Sequence, residues 1–485
     1  MKLYLLITVW SLMLSETPAI AQDTLKLSLR EVVETAKANS IAAKQAVTVR
    51  ETKYWEWRTF KSNYQPQLAL SGILPGYTKT YAQVLQPNGT ILFQPIHNDN
   101  SSLTLDFTQS IAATGGTIYG TTELQRFSDF DRDNVLYNGT PYGIGYTQPI
   151  LQFNRLKWEK KIEPLKFEES KQAYIESQEQ IAINVTTYFF DLLLAQVNLG
   201  IAETNFKNTS KILAIANVKF ELGKVSKNEI LQLQLERLNA QKAAGTAKRD
   251  VEIATLNLRS YTGIENEEKI VLLRPAAVTQ FEVSTDRVLE QAMENRSDAI
   301  AFLRRIAEAQ RDVAKAKGEN GLVATLNANL GFSNAGNRIT DVYRSPKSQQ
   351  SVQVQLSIPL LDWGRSKSRT KTALANEQFT RYEVEQDKQV FKQQILTQVT
   401  LFDMMKEQME LTTQAERIAS EKYQIASERY VLGNPSITDL SVAFQESDRA
   451  KRDYIAALRD FWGAYYQLRY LSLYDFEKNE KITYK

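Results

Sequence analysis

The sequence predicts an α+β fold in which long coiled-coil helical hairpins and short β-strands each occur twice. The first observation is a repeated turn, since residues 219–226 read KFELGKVS and residues 429–436 read RYVLGNPS. The second is a heptad pattern leading into the first turn, and the third is a period-two alternation of apolar and polar residues elsewhere. Together they indicate an internally duplicated chain.

The helix before the first turn carries its apolar residues at alternating steps of four and three. These positions run from Ile181 to Phe220, and only Thr209 among them is neither apolar nor aromatic. A spacing of 3.5 residues over several heptads requires a supercoiled partner helix. After the turn, mostly small residues from Ala240 to Tyr261 keep the same spacing. The chain is therefore expected to fold back as a hairpin.

The N-terminal residues have the pattern of a secretory signal peptide. Lys2 precedes an apolar run, and Ala19 and Ala21 form an A-x-A cleavage site, which predicts removal of residues 1–21. No later run reaches the roughly 18 apolar residues of a membrane-spanning helix. The chain has no cysteine and one histidine, which argues against disulfides, thiol chemistry and zinc or haem sites. We expect no metal, no cofactor and, at a net charge of +3, no nucleic-acid partner.

Two pairs of matching segments define the duplication. Residues 288–295 resemble residues 32–39 at an offset of 256, and residues 359–365 resemble residues 149–155 at an offset of 210. The first copy is thus 46 residues longer, and we place this insertion at about residues 75–135. Its segments 102–107 and 117–124 suggest a further hairpin, expected on the extracellular side as a loop, cap or plug.

The predicted organisation follows from these matches. Residues 22–263 form the first structural repeat and residues 284–473 the second, with an equatorial linker at 264–283 and a tail at 474–485. Each repeat begins with a helix, which in the first copy is predicted from Leu27 to Asn63 with Ser28 and Glu31 as its capping box. Strands follow, and then a helical hairpin. The long helices, at 153–219 and 363–429, would each extend about 100 Å.

The strands of the second copy predict a membrane-crossing sheet. Apolar residues alternate with uncharged polar residues from Leu322 to Ser333 and from Val352 to Ile358. Such lengths suit a membrane strand, and two core strands per repeat give about four per chain. A closed barrel needs about eight, and open edges are not tolerated in lipid, so several chains would share one barrel.

Four tryptophans lie where helix meets strand. They are Trp55, Trp57, Trp158 and Trp363. An aromatic belt at a membrane–water boundary would have this placement. Packing of a sheet against a helix would also account for it.

With both turns, both strand exits and this order of elements, the chain resembles the TolC-like outer-membrane efflux protein family over essentially its whole mature length. The resemblance implies a homotrimer with a shared β-barrel in the outer membrane of a Gram-negative cell and a helical α-barrel in the periplasm. The two helix turns would form a tip that meets a periplasmic adaptor, which connects to an inner-membrane transporter. Carried over by position, the tip residues are Leu222, Gly223, Val225, Ser226, Leu432, Gly433, Pro435 and Ser436.

The resemblance also implies a periplasmic gate. Tyr430 and Glu229 occupy the positions of an aromatic–acidic contact, and Asp439 occupies that of an acidic ring. The family's basic position holds Pro435 and its second acidic position holds Val442, so neither a salt bridge nor a second ring carries over.

We therefore expect a passive exit duct for efflux or type I secretion, without enzymatic activity. A structural coiled-coil stalk is the alternative, although alternating strands between the helices argue against it. An enzyme is the weakest interpretation, because no nucleophile–base set, carboxylate pair or phosphate loop stands in a suitable context. Neither the cargo nor the class of pump follows from the residues.

Overall fold

The structure is a computed structural model that describes residues 24–265, 268–275, 281–431 and 437–484. These residues divide into two compact units. The first unit comprises the described parts of residues 1–44, 178–281 and 401–467, and the second comprises those of residues 45–177, 282–400 and 468–485. The predicted signal peptide lies outside the described residues.

Helices dominate the fold on either side of the strand regions. Their bounds are α1 Leu29–Asn39, α2 Ile41–Ser62, α3 Arg155–Glu221, α4 Lys227–Thr262, α5 Thr285–Asn295, α6 Ser297–Glu319, α7 Ile339–Tyr343, α8 Arg365–Val431 and α9 Ile437–Ser472. The strands are β1 Thr24–Leu27, β2 Gln67–Ile73, β3 Tyr77–Leu85, β4 Ile91–Ile111, β5 Gly116–Asp129, β6 Asn134–Ile150, β7 Lys269–Leu272, β8 Val323–Gly336, β9 Lys347–Ser357, β10 Tyr474–Asp475 and β11 Glu480–Lys481.

The two hairpins have equal dimensions. Helices α3 and α8 each contain 67 residues, and their partners α4 and α9 each contain 36. Both long helices begin and end two residues later than the heptad pattern predicts. Pro164 lies inside α3. The equal lengths agree with a duplicated hairpin.

The predicted first helix is in fact two helices. Leu27 belongs to β1, which pairs in parallel with β7, and the helical segment breaks at Ser40. Ser40 has extended backbone angles, and its Oγ accepts a hydrogen bond 3.0 Å long from the N–H of Ala43. A serine that caps a new helix accounts for the break. The predicted capping box of Ser28 and Glu31 is confirmed.

One helix among the described residues is long and apolar enough to cross a membrane by length and composition. It is α3, which contains an 18-residue window with a mean hydropathy of 1.3. Within the same helix Val185, Phe189 and Leu192 are fully buried in the first unit. Burial of these residues is typical of a core helix, and a single helix that passes this test is weak evidence for a membrane span.

The second unit contains an antiparallel sheet in the order β2-β4-β5-β6-β8-β9. Strand β3 continues the line of β2 and pairs with the first half of β4, from Tyr77 opposite Asp99 to Leu85 opposite Ile91. Strands β2 and β9 lie at the two edges, and every residue of both strands is exposed. The four strands expected from the sequence are β2, β6, β8 and β9.

The predicted hairpin is confirmed, because segments 102–107 and 117–124 belong to β4 and β5, which pair with each other. Its expected place as a separate loop, cap or plug was wrong, since β4 and β5 lie inside the sheet between β2 and β6. An alternating segment can pair with any strand of matching register. The sequence pattern predicts the strands but does not select their neighbours.

The registers sort the side chains into an apolar and a polar face. On one face Leu70 lies opposite Leu105, and Ile144 lies opposite Leu330. On the other face Thr147 and Asn327 are paired and hydrogen-bonded at 3.0 Å. The predicted dyad pattern is therefore confirmed, and it gives the sheet a surface suited to lipid and a surface suited to water.

Candidate functional site

The first helix turn is built by a left-handed glycine. Gly223 has φ of 69°, and its N–H donates to the carbonyl of Phe220 at 2.9 Å. The N–H of Lys224 donates to the carbonyl of Lys219 at 2.8 Å. These two bonds form a Schellman motif, which satisfies the last carbonyls of α3 and ends the helix sharply.

The N-cap of the next helix, Ser226, lies three residues after this glycine, and α4 begins at Lys227. The Ser226 N–H donates to Glu229 Oε2 at 2.8 Å, and the Glu229 N–H donates to Ser226 Oγ at 3.2 Å. This capping box satisfies two N–H groups at the start of α4. Because both ends are capped, local hydrogen bonds fix the geometry of the turn.

Apolar residues of the turn point in two directions. Val225 packs against a small buried cluster of Leu213, Ala216 and Ile230. Leu222 is 66% exposed and has no place in that cluster. The turn thus anchors itself on one side and presents a leucine on the other.

The second turn lies largely outside the described residues. Leu432, Gly433, Pro435 and Ser436 are in this group, and the side chain of Tyr430 at the end of α8 is not described either. Asp439 is exposed in the first turn of α9. The Tyr430–Glu229 contact therefore stays a prediction. The structure adds that the Glu229 carboxylate already accepts the bond from Ser226.

The four tryptophans of the predicted belt differ in their surroundings. Trp363 is 91% exposed and Trp55 is 63% exposed. Trp57 is half-buried and stacks on Phe167, with ring centroids 5.1 Å apart. Trp158 is also half-buried, and the Lys161 ammonium lies 5.1 Å from its ring centroid. The two exposed indoles remain candidates for a membrane boundary, whereas the other two pack within the second unit.

A buried ion pair between α3 and the break before α6 was not predicted. Arg296 Nε lies 3.3 Å from Glu176 Oε1, and both side chains are almost fully buried. Burial raises the pKa of Glu176. Arg296 and the hydrogen bonds from Ser297 lower this pKa by less, so the net shift is upward. Burial lowers the pKa of Arg296, but Glu176 and Asp298 outweigh it and leave that pKa raised.

A second buried pair occupies the first unit. Lys37 Nζ lies 2.9 Å from Glu179 Oε1, with side-chain exposures of 7% and 0%. Its partners are 142 residues apart. Sequence periodicity reports neighbours within a few residues, so it cannot predict a pair separated by this distance along the chain. Both pairs lie close to a helix break, at Ser40 and at Arg296, two positions related by the 256-residue offset.

Among the described residues, no group of three or more histidine, cysteine, aspartate or glutamate side chains is arranged to hold a metal ion. The candidate functional features among these residues are the first helix turn, in the first unit, and the two-faced sheet, in the second unit.

Known proteins resemble the chain at the level of family and of fold. A family model described as Outer membrane efflux protein matches residues 110–264 and 288–472. No curated protein matches the chain significantly. Among solved structures, the CmeC outer membrane channel of Campylobacter jejuni aligns over 93% of this chain and 88% of its own, with 16% identity and a TM-score of 0.64.

Two further outer membrane proteins have a similar fold. VceC, an outer membrane protein of Vibrio cholerae, covers 92% of this chain and 95% of its own at 15% identity, with a TM-score of 0.62. The MtrE outer membrane channel of Neisseria gonorrhoeae, in its open state, covers 92% and 88% at 14% identity, with a TM-score of 0.59. The family match covers both repeats, which leaves no support for the coiled-coil stalk or for an enzyme.

Proposed function

We propose, on the premise that this chain belongs to the TolC-like outer membrane efflux protein family, that three copies close one channel in the outer membrane of a Gram-negative cell. The channel serves as a passive exit duct. An inner-membrane transporter drives the cargo, and a periplasmic adaptor joins the transporter to the channel.

The main support for an assembly of several chains is the pair of open sheet edges. Every residue of β2 and β9 is exposed, and neither strand has a partner on its outer side among the described residues. Unpaired backbone N–H and C=O groups each cost several kcal/mol in lipid, so an open sheet cannot remain there. The two edges run in opposite directions, which suits antiparallel pairing of β9 with β2 of the next copy.

The adaptor would contact the helix turns. Leu222 is 66% exposed at the centre of a turn that is capped at both ends. A rigid turn with an outward leucine suits a partner that inserts an apolar side chain or offers a pocket. The second turn, at residues 432–436, would act with it, with Leu432, Gly433, Pro435 and Ser436 in the matching positions.

The gate would lie just beyond these turns. Tyr430 and Glu229 form the proposed closing contact, and Asp439 of three copies forms the proposed acidic ring. The adaptor opens the gate only if it binds the open arrangement more tightly than the closed one. We also propose the repeat limits, 22–263 and 284–473, and outer-membrane lipid around the exposed Trp55 and Trp363.

A photocrosslinking experiment tests the adaptor contact. Benzoylphenylalanine replaces Leu222 in cells, and the control carries it at Lys248, an exposed position in the middle of α4. We expect an adduct at position 222 that mass spectrometry identifies as the periplasmic adaptor, and no such adduct at position 248. Equal adducts at both positions, or none at position 222, would contradict the assignment of the tip.

A further inference from the structure

We propose that this chain contributes six strands to the barrel wall, so that three copies close a pore of about 18 strands. The two extra strands come from the insertion in the first repeat. The alternating pattern of the sequence predicted about four strands per chain. This inference rests on the proposed function, because it needs three copies around one barrel.

The first argument is the register of the sheet. If the insertion were a cap or plug, β2 would pair directly with β6. Instead β4 and β5 separate them: β2 pairs with β4 over seven residues, from Gln67 opposite Thr108 to Ile73 opposite Ser102. Strand β5 then pairs with β6 from Thr117 opposite Thr147. Both inserted strands are therefore interior strands of one continuous sheet.

The second argument is the length of the inserted strands. The β4–β5 ladder runs without interruption from Asn98 opposite Asp129 to Ile111 opposite Gly116. A membrane strand tilted by about 45° needs about 9–11 residues to cross the hydrocarbon. Strand β5, with 14 residues, exceeds this length. Each inserted strand can cross the membrane completely.

The third argument is the orientation of the side chains. On β4, Leu103, Leu105 and Phe107 are exposed at 38%, 38% and 45%, on the same face as the apolar residues of β2. Leu103 also lies opposite Leu124 of β5. The inserted strands thus continue the lipid-facing surface instead of interrupting it.

The opposite face of the inserted strands is polar and includes two carboxylates. Thr104 lies opposite Glu123, and Asp106 lies opposite Thr121. Thr108 is the next residue on this side of β4. The apolar-out, polar-in alternation of a membrane barrel with a water-filled interior therefore extends across the inserted strands.

The number of strands has a direct consequence for the cargo. Barrel diameter increases roughly in proportion to strand number, so about 18 strands give a diameter about 1.5 times that of 12 strands. The cross-section then increases about twofold. Such a pore would pass bulkier cargo than a pore built from three four-strand chains.

A cysteine scan of β4 tests the orientation directly, and the natural chain has no cysteine that could interfere. The lumen set is Thr104→Cys, Asp106→Cys and Thr108→Cys, and the matched lipid set is Leu103→Cys, Leu105→Cys and Phe107→Cys. We expect a charged, membrane-impermeant thiol reagent to label the lumen set at least tenfold faster and to reduce the conductance of the reconstituted channel. A lipid-soluble maleimide should label the other set.

Channel size is the second measurement. We expect polyethylene glycol added from the barrel side to enter the intact channel up to a diameter about 1.5 times that found for a variant that lacks residues 86–131 and keeps β2, β3, β6, β8 and β9. If this variant does not assemble, the size of polyethylene glycol that enters the intact channel gives the diameter. Alternating labelling together with the larger size supports the inference.

Two results separate this inference from the proposed function. A channel that conducts, but whose β4 cysteines all react alike or whose diameter is that of about 12 strands, would overturn the six-strand wall and leave the duct intact. A protein that forms no channel and does not reach the outer membrane would overturn both.

Discussion

Ser226 and Glu229 cap each other at the start of α4: the Ser226 N–H donates to Glu229 Oε2 at 2.8 Å, and the Glu229 N–H donates to Ser226 Oγ at 3.2 Å. The turn proposed to contact the adaptor is therefore held by its own residues. The corresponding sequence of the second turn has Ser436 and Asp439 at the same spacing.

Removing the first cap should loosen the beginning of α4. We expect Ser226→Ala to cost about 1 kcal/mol of local stability, because the Glu229 N–H loses its acceptor, Ser226 Oγ. Hydrogen exchange of the first turn of α4 should accelerate several-fold. Glu236→Gln, an exposed change farther along the same helix, is the control. Exchange that is unchanged in Ser226→Ala would show that the cap does not hold the turn.

Two glycine-to-alanine substitutions should have opposite signs. An added Cβ meets nothing within 4 Å at either Gly223 or Gly245. Gly223 has φ of 69°, so alanine there should cost roughly 1 kcal/mol through backbone strain. Gly245 lies in the interior of α4, where alanine should stabilise by about 0.5–1 kcal/mol. Urea unfolding of the two variants in detergent measures both effects, and equal signs would refute this explanation.

Removing only one partner of the buried Arg296–Glu176 pair should lower the stability of the fold strongly. Arg296→Met leaves the Glu176 carboxylate buried without its counter-charge and should destabilise by about 3–5 kcal/mol. The pKa of Glu176 is already raised by burial, and it should rise further. Because a carboxyl with a raised folded pKa favours folding when protonated, the loss should be greater at pH 8 than at pH 5.

The double variant Arg296→Met/Glu176→Gln is the matched control. Neutral glutamine should recover part of the lost stability and remove its pH dependence. A single variant with the same stability at both pH values would contradict the burial of a charged Glu176.

The first turn of α8 should respond to acid through Asp362. Bonds from Ser366 and from the backbone N–H of Gly364 lower the pKa of Asp362 to about 2. A depressed carboxyl pKa contributes stability above its usual value of 3.8, and this contribution is lost as the pH falls from about 3.8 to about 2. We expect amide exchange at Gly364 and Ser366, corrected for intrinsic rates, to accelerate over that range.

Asp362→Asn should give a cap that does not titrate. In this variant, amide exchange at Gly364 and Ser366, corrected for intrinsic rates, should not accelerate as the pH falls. An acid step of the same size in this variant would assign the effect to another group.

Asp106 and Glu123 should make the pore prefer cations. Both carboxylates lie on the polar face of the inserted strands, and carboxylates around a pore attract cations. We expect Asp106→Asn/Glu123→Gln to reduce the cation preference in reversal-potential measurements across a salt gradient. The conductance in symmetric salt should change little. Unchanged selectivity would place these side chains outside the conduction path.

The heptad and dyad patterns predicted most of the fold because they reflect local periodicity. They gave α3 and α8 to within two residues, and they identified β8 and β9 with the correct faces. The break at Ser40 was missed, although a serine after Asn39 is a recognisable cap. The apolar pattern continues on both sides of Ser40, so periodicity alone does not separate the two helices.

Long-range pairing could not be predicted. The place of β4 and β5 between β2 and β6 depends on which edges compete during folding, and an alternating pattern is equally compatible with several neighbours. The pair of Lys37 and Glu179 likewise joins residues 142 positions apart. For the tip, the sequence alone indicated Gly223 and Ser226, because left-handed glycine and capping serine act within a few residues of the chain.

The most direct measurement for the central claim is the mass of the purified protein in detergent, determined by light scattering with the micelle subtracted, on material recovered from the outer membrane. We expect the mass of three chains, since the open edges of β2 and β9 must be closed by other copies. A monomer that remains in the soluble fraction would contradict the shared barrel.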